Sequence, residues 1–356
     1  MKKKLALALS LAMAMTLALT ACGGDKPAAS TPAASKPAVS TPAASQPSSG
    51  LAAKDGGTNL TFTTGGESGT YYGFGNVIAG KVGDMTSTSV KAITSGGSAA
   101  NIQALEDQDA QLGFVQSDVM VYAYNGERTF AETGASTGFS TVANLYMEQV
   151  QIVTVDPSIK SVADLAGKKV SVGAPGSGVF FNAVDVLNAY GLGDLNDKQE
   201  FTKIDATYQS FQDSAEALKD AQIDAAFIVA GAPTTAVTDL ASGRAISLVS
   251  LDDEHINALI ASCPYYSKNV ISKDVYSLAE DTTTVAVGAV VIARDDVSEA
   301  DVYNFLYGTF EDVANLSHGK AAELDLDFAA SVTAIGYHPG AVAYFADKGI
   351  TVPAKG

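Results

Sequence analysis

Leu60-Thr61-Phe62-Thr63-Thr64-Gly65-Gly66-Glu67-Ser68-Gly69-Thr70-Tyr71-Tyr72 runs from a short β-type alternation into a Gly-rich turn. Tyr72, Asn76, Ala79 and Val82 then recur at helical spacing, so the stretch reads strand, loop, helix. Its loop has an echo 109 residues further on. Gly66-Glu67-Ser68-Gly69-Thr70-Tyr71-Tyr72 is answered by Pro175-Gly176-Ser177-Gly178-Val179-Phe180-Phe181. A second pair lies at an offset of 113. Ala104-Leu105-Glu106-Asp107 leads to Phe114-Val115, and Ala217-Leu218-Lys219-Asp220 leads to Phe227-Ile228. Two lobes built on one plan are expected, each opening with a strand, a Ser-Gly loop and a helix.

Outward from there, β-type runs alternate with helical periods. Ser89–Thr94, Leu112–Val115, Gln151–Val155, Lys169–Gly173, Ala225–Ala230, Ala245–Val249 and Thr284–Ala293 read as strands. The helices between them suit parallel crossovers, so the expected class is α/β. The first lobe is assigned to residues 58–152 plus 284–356 and the second to 153–283.

Composition narrows the function. The chain has 356 residues and a formal net charge of −17. Residues 1–50 hold five lysines and one acid, leaving 38 acids against 17 bases, or −21, for the remainder. Such a body repels nucleic-acid phosphate and anionic lipid. With 47% apolar and 17% charged residues, it is not globally disordered. Only two cysteines occur, so neither a disulfide scaffold nor a thiolate zinc site is available.

The N-terminus is read as an export segment. Met1-Lys2-Lys3-Lys4 is a basic start, and an apolar run from Leu5 to Leu19 follows. That run is too short for a permanent span. Leu19-Thr20-Ala21-Cys22 resembles the bacterial lipobox, which implies a signal peptide over 1–21 and lipid on Cys22. Lipid chains anchor by about 0.8 kcal/mol per buried methylene. Residues 22–57 are expected to form a tether, because Pro27, Pro32, Pro37, Pro42 and Pro47 recur every five residues among Ala, Ser and Thr. Cys263, beside Pro264, is then the one free thiol and reads as a small core residue.

A Ser-Gly turn between strand and helix aims unpaired backbone N–H groups outward, and the helix dipole favours an anion there. Three places qualify: Gly65–Thr70, with Ser68; Ser95-Gly96-Gly97-Ser98; and Ala174–Gly178, with Ser177. Each Ser taken alone also suits a plain N-cap. Gln116-Ser117-Asp118 and Ala230-Gly231-Ala232-Pro233 follow strands and so belong at ligand-facing ends. Asp118 suits either orienting a ligand amine or capping the next helix. Tyr71 and Tyr72 suit either a pocket wall or the lobe core.

No nucleotide fingerprint opens a helix after a strand, and His255, His318 and His338 form no metal or catalytic spacing. No metal, cofactor or enzyme chemistry is therefore expected. A hydrolase using Ser117 or Ser177 with His338 is the remote alternative, and requires those groups within hydrogen-bond reach.

Taken in order, Thr64-Gly65-Gly66…Gly69-Thr70-Tyr71-Tyr72, Ser95-Gly96-Gly97-Ser98…Asn101, Gln116-Ser117-Asp118, Gly173–Gly178, Val229–Pro233 and His338-Pro339-Gly340 resemble the TAXI family of solute receptors for TRAP transporters. The resemblance covers about residues 58–347. It implies a type II periplasmic-binding-protein fold with a ligand cleft between hinged lobes. It further implies a monomer that hands its solute to TRAP permease subunits driven by an ion gradient. Family ligands are small organic acids and amino acids, such as glutamate and related dicarboxylates. Ligand contacts are expected from Ser68, Thr70, Tyr71, Tyr72, Ser98, Gln116, Ser117, Asp118, Ser177, Gly178, Val179 and Gly231. The family pattern usually continues Gly-Ser-Gly with Thr; Val179 removes that hydroxyl. An ABC-type receptor or a sensor input on the same fold are the alternatives within binding. None of Arg128, Arg244 and Arg294 lies in a candidate loop, so backbone donors and hydroxyls replace an Arg clamp.

Overall fold

The computed structural model describes residues 51–196 and 200–356. The signal segment, Cys22 and the proline repeats lie outside the described residues. Among the described residues, no helix is long and apolar enough to cross a membrane.

Ten strands form one mixed sheet: β1 (Asn59–Thr63), β2 (Ser89–Ile93), β3 (Leu112–Gln116), β4 (Phe139–Thr154), β5 (Lys169–Ser171), β6 (Asp205–Thr207), β7 (Ala225–Ala230), β8 (Ser247–Leu248), β9 (Ser267–Ile271) and β10 (Thr282–Arg294). The first helices are α1 (Thr70–Met85), α2 (Ser98–Glu106), α3 (Ser117–Asn125) and α4 (Phe130–Thr133). Next come α5 (Val179–Ala189), α6 (Phe211–Lys219), α7 (Thr235–Gly243) and α8 (Asp253–Ser262). The chain closes with α9 (Glu299–Phe310), α10 (Leu326–Ala329) and α11 (Pro339–Asp347). The class is α/β, as expected.

The strand order β2-β1-β3-β10-β4-β7-β5-β6 is symmetric about its middle. On one side β1 pairs in parallel with β2 and β3; on the other β5 pairs in parallel with β6 and β7. Helices α1 and α5 start 109 residues apart, and α2 and α6 start 113 apart, which are the offsets of the sequence echo. The echo is therefore a structural repeat. What parallel crossovers did not anticipate is the middle. There the long strands β4 and β10 run antiparallel to each other, and to β7 and β3 respectively.

Those two strands thread separate apolar clusters. Ala143, Leu145 and Tyr146 of β4 pack with Phe62, Phe74, Phe114 and Phe305, whereas Val150 and Ile152 pack with Val170, Phe227 and Val285. Strand β7 is covered on both faces. Phe227 and Val229 enter one cluster, while Ala226, Ile228 and Ala230 enter a third with Leu218 and Leu240. Double coverage explains its uninterrupted apolar sequence. Lys54 N donates to Asn304 Oδ1 and Thr58 N to Asp301 Oδ1, so the chain lies against α9 before β1 begins.

Candidate functional site

Four strand-to-helix loops surround one cavity of about 450 Å³. From the first repeat come the β1–α1 and β2–α2 loops; from the second come the β5–α5 and β6–α6 loops. All four lie at carboxyl ends of parallel strands, where open α/β sheets take ligands.

The loops also touch one another. Ala100 N donates to Gly176 O at 3.1 Å, and Ala236 N donates to Ser68 O at 3.2 Å. Thr70 Oγ1 donates to Gly231 O at 2.7 Å. Ser95 N donates to Gly65 O at 3.1 Å, tying the first two loops together. Gly97 sits at φ 103°, a region L side chains rarely occupy, and its α-carbon faces the Ser177 backbone. A side chain there would hold these loops apart.

Helices α1, α2 and α5 start on the cavity after Gly69, Gly97 and Gly178, and none has a side-chain cap hydrogen bond. Glycine at the cap position leaves their first N–H groups without a side-chain acceptor. Ser98 is set up similarly. Its Oγ accepts from Gln116 N at 3.1 Å, and its hydroxyl eases the buried Tyr71 phenol beside it on the cavity wall. Ser177 Oγ instead donates to Ala174 O at 2.7 Å, closing its own turn and keeping acceptor capacity only.

The structure brings Ser68, Thr70, Tyr71, Ser98, Ser177, Gly178 and Val179 to the cavity wall. Five other expected residues do not line it. Tyr72 is half-buried one position along α1, and its carbonyl accepts from Asn76 Nδ2. Gln116 is buried behind the wall, so close to Gly178 that a Cβ there would run into Gln116 Oε1. Ser117 Oγ accepts from Gly288 N at 3.0 Å and fastens α3 to β10. Asp118 is sealed inside, where its Oδ2 accepts from Asn182 Nδ2 at 3.0 Å. Gly231 follows the wall residues Val229 and Ala230, and its carbonyl is engaged by Thr70.

Sequence reasoning passed over Glu148 and the segment Gln209–Gln212, both on the wall. The second was accessible: an offset of 113 from Ser95–Ser98 falls on Tyr208–Phe211. Glu148 gave one signal, an acid inside the otherwise largely apolar run of β4. Burial pushes its carboxyl up to about 8, Tyr71 and Gln116 ease that cost in part, Asp118 adds to it and Lys320 opposes it. Burial also drives the Tyr71 hydroxyl well above its ordinary value, with Glu148 adding to the rise. The Tyr71 ring stacks on Phe114 with centroids 4.5 Å apart, and Tyr71 Oη closes no full hydrogen bond within the protein.

The remaining chemistry lies elsewhere. His338 caps α11, its Nδ1 accepting from Gly340 N, and none of the histidines lines the cavity. Among the described residues, no group of three or more His, Cys, Asp or Glu could hold a metal ion. Arg128 pairs with Asp185, Arg294 pairs with Asp296, and Arg244 donates to Lys219 O. Cys263 is half-buried, and burial raises its thiol.

A model of the NMT1-like family matches residues 62–349. Among solved structures, the chain is similar to the periplasmic aliphatic sulphonate binding protein SsuA from Escherichia coli. That match has 17% identity and a TM-score of 0.42, covering 82% of this chain and 91% of that one. It is similar also to a periplasmic transporter at 14% identity and TM-score 0.48, covering 76% and 87%. An ancestral arginine-binding protein bound to arginine matches at 15% identity and TM-score 0.44, covering 74% and 96%.

Proposed function

The chain belongs to the NMT1-like family, and on that premise we propose that it is an extracytoplasmic solute-binding protein, not an enzyme. It captures a small carboxylate or amino acid in a cleft between two lobes. Lipid on Cys22 holds it at the outer face of the cell membrane, and it hands its solute to a TRAP-type permease. The lobes meet where β4 and β10 cross from one apolar cluster to the next, and these strands act as the hinge.

One observation carries the reading. Three helix N-termini without side-chain caps and the Ser98 hydroxyl converge on a cavity of ligand size, and among the described residues neither lysine nor arginine lines it. Such a site neutralises an acid group with fixed backbone dipoles. The hydrogen bonds between loops of the two repeats are those a closed cleft makes over its ligand.

The test is mass spectrometry of solute released from purified, denatured protein, followed by thermal unfolding with the identified compound. A small acid or amino acid is expected, and at 100 times its dissociation constant it adds about 2.7 kcal/mol. Release of a sugar or a metal alone would overturn the ligand class.

A further inference from the structure

We infer that Glu148 receives a cationic nitrogen of the solute, so the captured molecule carries an amine together with its acid group and is not an amine-free dicarboxylate. This rests on the receptor reading and narrows its substrate class.

The geometry provides one kind of anion site and one kind of cation site. Acid groups belong at the α1, α2 and α5 N-termini, which lack a side-chain cap, although in α2 Gly97 N already donates to Ser95 Oγ and Ala100 N to Gly176 O. Glu148 lines the same cavity from β4 and is only 2% exposed. A carboxyl so withdrawn from water either keeps its proton or takes a partner of opposite charge. The protein does not give it one directly. Lys320 of the turn Gly319–Glu323, whose charge opposes the rise at Glu148, is itself buried and already engaged: its Nζ pairs with Glu323 and lies 5.6 Å from the Tyr146 ring centroid. The one other acid on the wall, Glu67, is exposed and adds a further negative charge.

An amine-free solute with two acid groups would find no cation for its second charge among the described wall residues and would leave Glu148 protonated. An amine in that place completes the pair instead. The groups facing Glu148 sharpen this. Tyr71 of α1 and Tyr146 of β4 are neutral phenols whose hydroxyls close no full hydrogen bond within the protein, and Gln116 of β3 is neutral. Asp118 of α3 is acidic, and Lys320 with Glu323 forms a closed pair. Empty, the carboxyl keeps its proton at neutral pH. An arriving ammonium drives that proton off to solvent, and the ion pair forms.

Calorimetry on the full exported chain tests this with matched probes differing in one amino group: L-glutamate and glutarate, L-norvaline and pentanoate, γ-aminobutyrate and butyrate. In a pair that binds, the amine-bearing member should be about 30-fold tighter. Glu148→Gln should erase that preference by weakening the amine-bearing member. Repeating the wild-type titration at neutral pH in buffers of different ionisation enthalpy should show net release of protons to the buffer on binding. That measurement stands even if the variant fails to fold.

Equal or better binding of a deaminated member, or proton uptake, would overturn the Glu148 assignment and leave the receptor standing. No binding by any of the six probes, with a sugar or metal released from denatured protein, would overturn the receptor reading and the assignment together.

Discussion

Glu148 and Asp118 are both withdrawn from solvent, and in both burial raises the carboxyl, to about 8 and about 7. Their surroundings differ. Asp118 belongs to a relay that joins α3 to α5: Asn182 Nδ2 donates to Asp118 Oδ2 and also to Tyr266 Oη, 2.7 Å away. Tyr266 Oη donates to Asp185 Oδ2 at 3.1 Å, and Arg128 pairs with Asp185 at 2.7 Å. Glu148 is eased only by Tyr71, Gln116 and the charge of Lys320, and it faces the cavity. Burial sets the proton affinity of both groups, but access decides their use. A carboxyl tied into a relay fixes helices; a carboxyl on a cavity wall is available to a solute.

Titration of stability should break the pair apart, with the largest expected effect. Unfolded, both carboxyls lose their protons near pH 4; folded, they hold them to about 7 and about 8. The folded state therefore binds more protons between those limits, and stability falls as pH rises from about 4 to about 8. The fall should be on the order of 4 kcal/mol for each group, read by urea unfolding of the empty protein. Asp118→Asn should flatten the part ending near pH 7, and Glu148→Gln the part reaching pH 8. Saturating solute should act on the Glu148 part alone. Identical profiles for wild type and both variants would show that neither group titrates as its burial requires.

Next in size is Asp185→Ala, which leaves Arg128 and the Tyr266 hydroxyl without their acceptor. Arg128 is partly exposed, so the cost should be about 2–3 kcal/mol rather than that of a fully buried pair. Solute affinity should change less than threefold once the protein is folded, because Asp185 does not line the cavity. Loss of binding without loss of stability would move the relay into the solute site.

The comparison also shows what the sequence can disclose. Gly-Ser turns at strand ends are visible because glycine and serine are needed there for backbone reasons, whatever the ligand. Hence Gly65–Thr70, Ser95–Ser98 and Ala174–Gly178 were legible, and their shared offsets announced the repeat. Glu148 was not, because its meaning depends on which face of β4 meets the cavity. That face is set by antiparallel pairing of β4 with β10, including register shifts between Ala289 and Val290 and between Val291 and Ile292. No local pattern encodes such a pairing. Asp118 misled for the converse reason. It follows β3 at a ligand-facing end, yet the adjoining α5 of the second repeat covers it with Asn182.

Ser98 offers the smallest and most discriminating change, because it belongs to both classes at once. Its oxygen supports the protein by accepting from Gln116 N, and its hydroxyl stands with Tyr71 on the cavity wall, where a solute can meet it. Ser98→Ala should cost about 1–2 kcal/mol of stability, since a buried backbone N–H loses its partner. It should weaken solute binding by a further ~10-fold. Ser98→Cys keeps a weak acceptor and donor in nearly the same volume and should recover part of both. Urea unfolding gives the first quantity and calorimetry the second. If alanine lowers stability but leaves affinity intact, the hydroxyl proton points away from the solute. Recognition of the acid group then falls to the helix N–H groups alone, and the Glu67–Tyr71 and Gly176–Phe181 segments become the places to probe it.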